Sequence, residues 1–262
     1  MPNTDMASEQ WATFTTELAK SKGVDVKTVV IIHENTLYGS SFAPKAKTYI
    51  EKAGLQVLDI IAYPYNTADL SSEVAKIKAL NPDIIAPISY TPDAILLTKA
   101  LASQKVNPKG YIGISSAGHG SGGYAKALGK LAEFNMTQSA FGNEKSPLYP
   151  SFAADYKSKF GVEPNSSPSC YNYSAGLLIA DALERAGSSN PKDIRDALAK
   201  SNLKEHLLCG GPITFDEVGQ NKNVISPLAQ IFDGAYKVVW PKDFALADPV
   251  FPMPSWEEIL KS

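Results

Sequence analysis

Short apolar runs alternate with helical stripes along the first half of the chain. Thr28-Val29-Val30-Ile31-Ile32-His33 is an unbroken β-branched run, the pattern of a central parallel strand buried on both faces. Before it, Trp11, Phe14 and Leu18 share one helical face, with Asp5 placed to cap the helix and Gly23 to end it. After it, Phe42, Ala46, Tyr49, Ile50 and Ala53 form a second stripe that stops at Gly54, with Pro44 expected in the first turn. The unit then repeats. Strand 55–61 leads to a helix carrying Leu70, Val74, Ile77 and Leu80. Strand 84–88 leads to a helix with Thr91 as cap and Pro92 as its first residue. Strand 111–114 leads to a glycine-rich loop and a helix through Leu128 and Leu131. This β-α alternation predicts an α/β fold: a parallel, Rossmann-like sheet with helices on both faces and right-handed crossovers.

Beyond residue 139 the rhythm changes to consecutive helices over 147–160, 168–186 and 191–200, each opened by Ser-Pro or Asn-Pro. Tyr149, Phe152, Tyr156 and Phe160 form a stripe on the first. A short strand at Ile213-Thr214-Phe215, a turn over 216–219, and a hairpin of 228–232 with 235–240 turning at Asp233-Gly234 complete the pattern. Three helices with so few strands beside them leave apolar stripes that this chain supplies little sheet to cover.

Composition narrows the function. The 262 residues carry 25 Lys+Arg against 27 Asp+Glu without a basic run, which excludes nucleic acid as a partner. No apolar stretch reaches the about 18 residues a membrane span needs. Cys170 and Cys209 are too far apart for a CxxC pair and are expected to be two buried free thiols, with one disulfide between them as the alternative. The start Met1-Pro2-Asn3-Thr4 has no basic or apolar signal region, which by itself fits a cytoplasmic chain.

Chemical motifs are weak. Gly118-His119-Gly120-Ser121-Gly122-Gly123 satisfies G-x-G-x-x-G between a strand and a helix, but at the fourth βα turn, and the next strand ends in Met136-Thr137-Gln138 with no acid for a ribose. Gly113-Ile114-Ser115-Ser116-Ala117 lacks the second glycine of a serine-hydrolase elbow. His33, His119 and His206 have no metal-ligand spacing; His33 reads as a polar strand end and His119 as a loop residue. Neither a metal nor a cofactor is expected, and no catalytic constellation is present.

Position is more informative. Ligands of open α/β sheets bind at the carboxyl ends of the strands, here 34–39, 89–92 and 115–120. Two of these segments carry a tyrosine, Tyr38 and Tyr90, each offering a ring face and a hydroxyl to a small molecule or a cover for its own helix.

With those residues, the chain resembles the type I periplasmic substrate-binding proteins of ABC transporters, the leucine/branched-chain amino-acid-binding family. The resemblance is carried in order by Val30-Ile31-Ile32-His33-Glu34 with Tyr38-Gly39; Asp69-Leu70-Ser71 with Leu80-Asn81-Pro82-Asp83-Ile84-Ile85; Tyr90; Tyr111-Ile112-Gly113; and Gly211-Pro212-Ile213-Thr214-Phe215-Asp216-Glu217-Val218-Gly219. It implies two lobes that close on a ligand about hinge crossings, one of them within 135–141. On this chain it implies a helix leading in from the first lobe over 1–26, a C-terminal ligand-binding lobe over 27–137, helices over 138–212 returning to an N-terminal lobe that is mostly absent, and hinge strands with a tail over 213–262.

The resemblance further implies a non-enzymatic periplasmic carrier, its signal preceding the absent lobe, that delivers a small ligand to a membrane permease. The uncovered helices imply oligomerisation, a partner chain or poor solubility. The family's ligand contacts fall on Tyr38, Tyr90 and Ser115 or Ser116. Ser115-Ser116 stand where amino-acid binders commonly hold an acid for the ligand's ammonium, so a carboxylate, amide or aromatic acid fits as well as an amino acid. Two alternatives have their own signals: a ligand-sensing domain of the same fold, and a nucleotide-dependent enzyme using the Gly118–Gly123 loop.

Overall fold

In the computed structural model, which describes residues 2–164 and 166–261, the chain divides into two compact units. One consists mainly of Ala140–Pro227; the other joins Thr4–Ser139 to the chain from Leu228 onward. The second unit is built on a sheet of order β2-β1-β3-β4-β5-β6-β7, with β1 Thr28–Glu34, β2 Gln56–Tyr63, β3 Ile84–Ile88, β4 Gly110–Gly113, β5 Met136–Gln138, β6 Leu228–Phe232 and β7 Ala235–Trp240. Strands β1 to β5 pair in parallel; the β6–β7 hairpin joins β5 antiparallel.

Strand β1 shows why its centre, Val29 to Ile32, had to be apolar on both faces. Val29 and Ile31 point into a core with Trp11, Leu18, Ala46 and Ile50, whereas Val30 and Ile32 point into one with Val74, Ile77, Leu97 and Leu101. Each of these four fully buried side chains contributes about 1.5–3 kcal/mol relative to exposure. Helices α1 Thr4–Ser21 and α2 Leu37–Lys52 thus cover one face, and α3 Ser71–Leu80 and α4 Thr91–Ser103 the other.

Asp83 of the Asn81-Pro82-Asp83 motif fastens the strand starts. Its Oδ2 accepts from the Lys27 and Thr28 N–H groups (2.8 and 3.0 Å), and its Oδ1 pairs with Lys109 Nζ at 2.7 Å. Burial works against ionisation here, but these bonds outweigh it and hold the carboxyl below its ordinary range.

Several local expectations shift. Helix α2 begins at Leu37, so Pro44 lies inside it and the Ser40 carbonyl lacks its usual partner. The early start follows from Thr36, whose Oγ1 caps Tyr38 N, and from the Glu34 carboxylate beside it. Tyr90 is the N-cap residue of α4 and Thr91 its first helical residue; the Thr91 hydroxyl bonds Ser121 Oγ instead of capping. Asp5 lies in the first turn of α1 and pairs with Lys45. The helix after the glycine-rich loop, α5 Gly122–Leu128, stops where Gly129 turns to φ +54° and continues only as a short 3-10 turn. The segment 213–215 makes isolated bridges to Leu203 and Asn221 and forms no regular strand. The Asp233-Gly234 hairpin forms as expected, both residues at positive φ.

The unit over Ala140–Pro227 holds α6 Tyr149–Phe160, α7 Ser166–Ala186 and α8 Pro191–Ala199. Phe152, Cys170 and Leu207 pack together in its core. Cys170 and Cys209 are both free and buried; burial pushes the Cys170 thiol up to about 12. On α7, Tyr173, Ile179 and Leu183 are 38%, 51% and 40% exposed, although the Tyr173 ring also meets Phe152 at 4.8 Å. Helix α1, placed by sequence in a lead-in segment, packs on the sheet: Gln138 Nε2 donates to Ala7 O and Trp240 Nε1 to Glu17.

Candidate functional site

In the strand order β2-β1-β3-β4 the chain direction of the crossovers reverses between β1 and β3, the switch point at which open α/β sheets open a crevice. Tyr38 follows β1 and Tyr90 follows β3, and their ring centroids lie 5.3 Å apart at 49°. Tyr65, just beyond β2, meets Tyr90 edge to face at 5.6 Å and 73°. Three tyrosines from three separate strand ends therefore form one aromatic surface. Tyr38 and Tyr90 are half-buried and Tyr65 is exposed.

The rings are held by the backbone beneath them. Glu34, fully buried, accepts from Thr36 N through Oε2 (2.5 Å) and from Gly39 N through Oε1 (2.6 Å), which fixes the first turn of α2 and with it Tyr38. Gly39 must be glycine, because a Cβ there would lie 2.1 Å from Glu34 O and 2.8 Å from Oε1. The Tyr38 hydroxyl donates to Ser115 O (2.5 Å) and accepts from Ala117 N (3.3 Å). It thereby clamps the turn after β4, where Ser115 sits at φ +44°. Burial, the largest effect, raises the Tyr38 hydroxyl well above its ordinary pKa.

The two serines part company. Ser115 is half-buried and its Oγ donates to Gln138 Oε1. Ser116 is fully enclosed: its Oγ bonds Ser89 through both N and O (3.1 and 3.2 Å) and lies 2.8 Å from His119 Nδ1. His119 Nε2 in turn meets Tyr111 OH at 2.7 Å. His119 is thus a core residue and not the loop residue its sequence neighbours suggest; burial lowers its pKa to about 3. Ser116 and His119 have nucleophile-to-base spacing, but an imidazole that stays neutral down to about pH 3, shut away from solvent, does not activate a hydroxyl.

The glycine-rich loop is filled by its own packing. Gly118 N donates to Ser89 O, and a Cβ on Gly118 would lie 2.2 Å from Tyr90 O. This glycine lets the loop press against the base of Tyr90.

Asp93, in the first turn of α4, went unnoticed in the sequence, as did Tyr63 and Tyr65. Asp93 is buried, and its Oδ2 accepts from Tyr63 OH at 2.5 Å. Burial, the larger effect, pushes its pKa up despite this bond. The available signal was Tyr63-Pro64-Tyr65 at the end of an alternating strand, where the period of two places Tyr63 inward. Among the described residues, no group of His, Cys, Asp and Glu is arranged to hold a metal ion, and no helix is long and apolar enough to cross a membrane.

A family model described as "Periplasmic binding protein" matches residues 3–234. The "Leu/Ile/Val-binding protein homolog 7" of Brucella suis is 28% identical over 249 residues, covering 90% of this chain and 61% of the relative. The chain thus spans about three fifths of the length of the curated relative it matches. Among solved structures, a leucine binding protein from Thermotoga maritima superposes with TM-score 0.73 at 21% identity, covering 88% of this chain and 64% of the other. A solute binding protein of an ABC transporter from R. palustris, in complex with benzoate, gives 0.71 at 15% identity, covering 96% and 66%. These two establish the likeness of fold: type I periplasmic binding proteins built on the same α/β sheet.

Proposed function

The chain belongs to the periplasmic binding protein family, and from that premise we propose that it is the ligand-holding part of a solute-binding component of an ABC uptake transporter. In this proposal it works in the periplasm, binds a small amino acid or an organic or aromatic acid, and passes it to a membrane permease without catalysing a reaction. The observation that carries the reading is the meeting of Tyr38 and Tyr90 across the switch point, braced by the bond from Tyr38 OH to Ser115 O.

Roles divide by what each side chain is bonded to. Tyr90 and Ser115 face the ligand, Tyr38 shapes the surface and locks the β4 turn, and Ser116 acts from beneath by tying that turn to Ser89. The names of the relatives, a Leu/Ile/Val-binding homologue and a benzoate complex, support a small organic solute.

Thermal unfolding in the presence of amino acids, organic acids and nucleotides tests this. A ligand at about 100 times its Kd adds about 2.7 kcal/mol to stability. At least one amino or organic acid should stabilise the parent chain, and Tyr90→Ala should abolish that effect. Stabilisation by a dinucleotide, with none by the acids, would overturn the proposal.

A further inference from the structure

We propose that the ligand group seated on the three-tyrosine surface is a quaternary ammonium, so that the solute is a fully N-methylated amino acid or a related organic acid. The inference rests on the solute-binding reading above and narrows it.

The first observation is charge. The connections leaving the carboxyl ends of the first five strands, 34–44, 63–75, 89–98, 114–125 and 137–139, contain no Lys or Arg at all, whereas Glu34, Asp69, Glu73 and Asp93 fall within them. Glu34 and Asp93 lie near enough to Tyr38 for their charge to oppose its ionisation. The potential behind the rings is negative.

The second observation removes the usual counter-argument. Helix N-termini converge at this end of the sheet and would ordinarily welcome an anion. Here the leading turns of α2 and α4 already carry acids of their own: the Glu34 carboxylate takes the N–H groups of Thr36 and Gly39, and the buried Asp93 carboxylate, in the first turn of α4, takes the Tyr63 hydroxyl. An anionic ligand group would meet two buried acids and no lysine or arginine in those connections.

The third observation separates kinds of cation. A primary ammonium brings three N–H donors that need acceptors. The carboxylates beneath the surface are buried and engaged, the Tyr63 hydroxyl is spent on Asp93, the Tyr38 hydroxyl is held between Ser115 O and Ala117 N, and the Ser115 hydroxyl is turned to Gln138 Oε1. A quaternary ammonium needs no acceptor. It is held by ring faces, and aromatic corners such as the one between Tyr65 and Tyr90 are the arrangement that does so.

Isothermal titration of the full 262-residue chain with trimethylglycine and with tert-butylacetate, its carbon isostere, at constant ionic strength isolates the charge. Trimethylglycine should bind saturably and at least about tenfold tighter than the isostere. Tyr65→Leu and Tyr90→Leu should each weaken it about threefold or more, and Tyr90→Phe, which keeps the ring, should hold it within about twofold. Tyr65 is exposed, so its variant leaves the core intact. Equal binding of the two compounds, or unchanged affinity in both leucine variants, overturns the inference. If L-leucine or benzoate binds while trimethylglycine does not, the inference falls and the solute-binding reading stands. If none of them binds, both fall.

Discussion

Replacing Gly118 by alanine is the sharpest probe of what the glycine-rich loop is for. The added Cβ would lie 2.2 Å from Tyr90 O, 2.4 Å from Tyr90 C and 2.8 Å from Thr91 N. Every clashing atom is backbone, so no rotamer change relieves it. Ordinary contact requires the end of β3 to retreat by about 1.2 Å, yet Gly118 N and Ser116 Oγ are both bonded to Ser89 there. Overpacking of this kind costs about 2–3 kcal/mol, which in a unit of this size lowers Tm by about 5–10 °C. The retreat also carries Tyr90 away from Tyr38, so affinity for any solute that binds should fall further than the lost stability explains. Gly122→Ala is the matched control: no atom lies within 4 Å of its Cβ, and it is the first residue of α5. That variant should unfold at the parent temperature or slightly above it, alanine being the better helix residue. Differential scanning calorimetry of the two variants reads both numbers. If Gly118→Ala melts with the parent, or Gly122→Ala is damaged as badly, the glycines serve something other than contact with Tyr90 and the packing explanation is refuted.

Two further outcomes follow from buried and exposed groups. His119, held near pKa 3 by burial, stays neutral in the folded chain while an unfolded histidine protonates below about 6.5, so stability should fall as pH drops from about 6.5 towards 3. Urea unfolding of His119→Asn across that window should show a shallower fall than the parent, and parallel curves would remove His119 as a cause. The exposed Tyr173, Ile179 and Leu183 of α7 predict self-association that rises with concentration and is reduced by Leu183→Lys; a parent chain that stays monomeric in light scattering at high concentration contradicts it.

The α/β unit was legible because both-face burial demands apolar side chains on successive positions, as Val29 to Ile32 of β1 show, and the Asp-Gly hairpin announced its own positive-φ turn. Element starts were harder to read, since they depend on side chains that reach across the chain. Pro44 reads as a first-turn residue in the sequence, but Glu34, five positions before Gly39, holds an earlier start of α2. The tyrosines nearest in sequence to obvious strand ends, Tyr38 and Tyr90, could be picked out by position. Tyr65 and Asp93 could not, because what makes them matter is their contact with Tyr90 and Tyr63, set by strand order and not by local period. His119 shows the same limit: a histidine between two glycines reads as loop, and only the depth of Tyr111 and Ser116 makes it core.

The sheet's last junction has a kinetic consequence. Gln138 of β5 pairs with Leu228 of β6, although the whole unit of α6 to α8 lies between them in the chain. Closing so long a loop costs little at equilibrium, because the entropy grows only with the logarithm of length, but contacts of such separation form late. The parallel strands β1 to β4, joined by local crossovers, can therefore assemble while the β6–β7 ribbon is still unmade. Until it arrives, Met136–Gln138 presents an open edge to any other strand in the cell, and its length of three residues keeps that interval from becoming a route to aggregation.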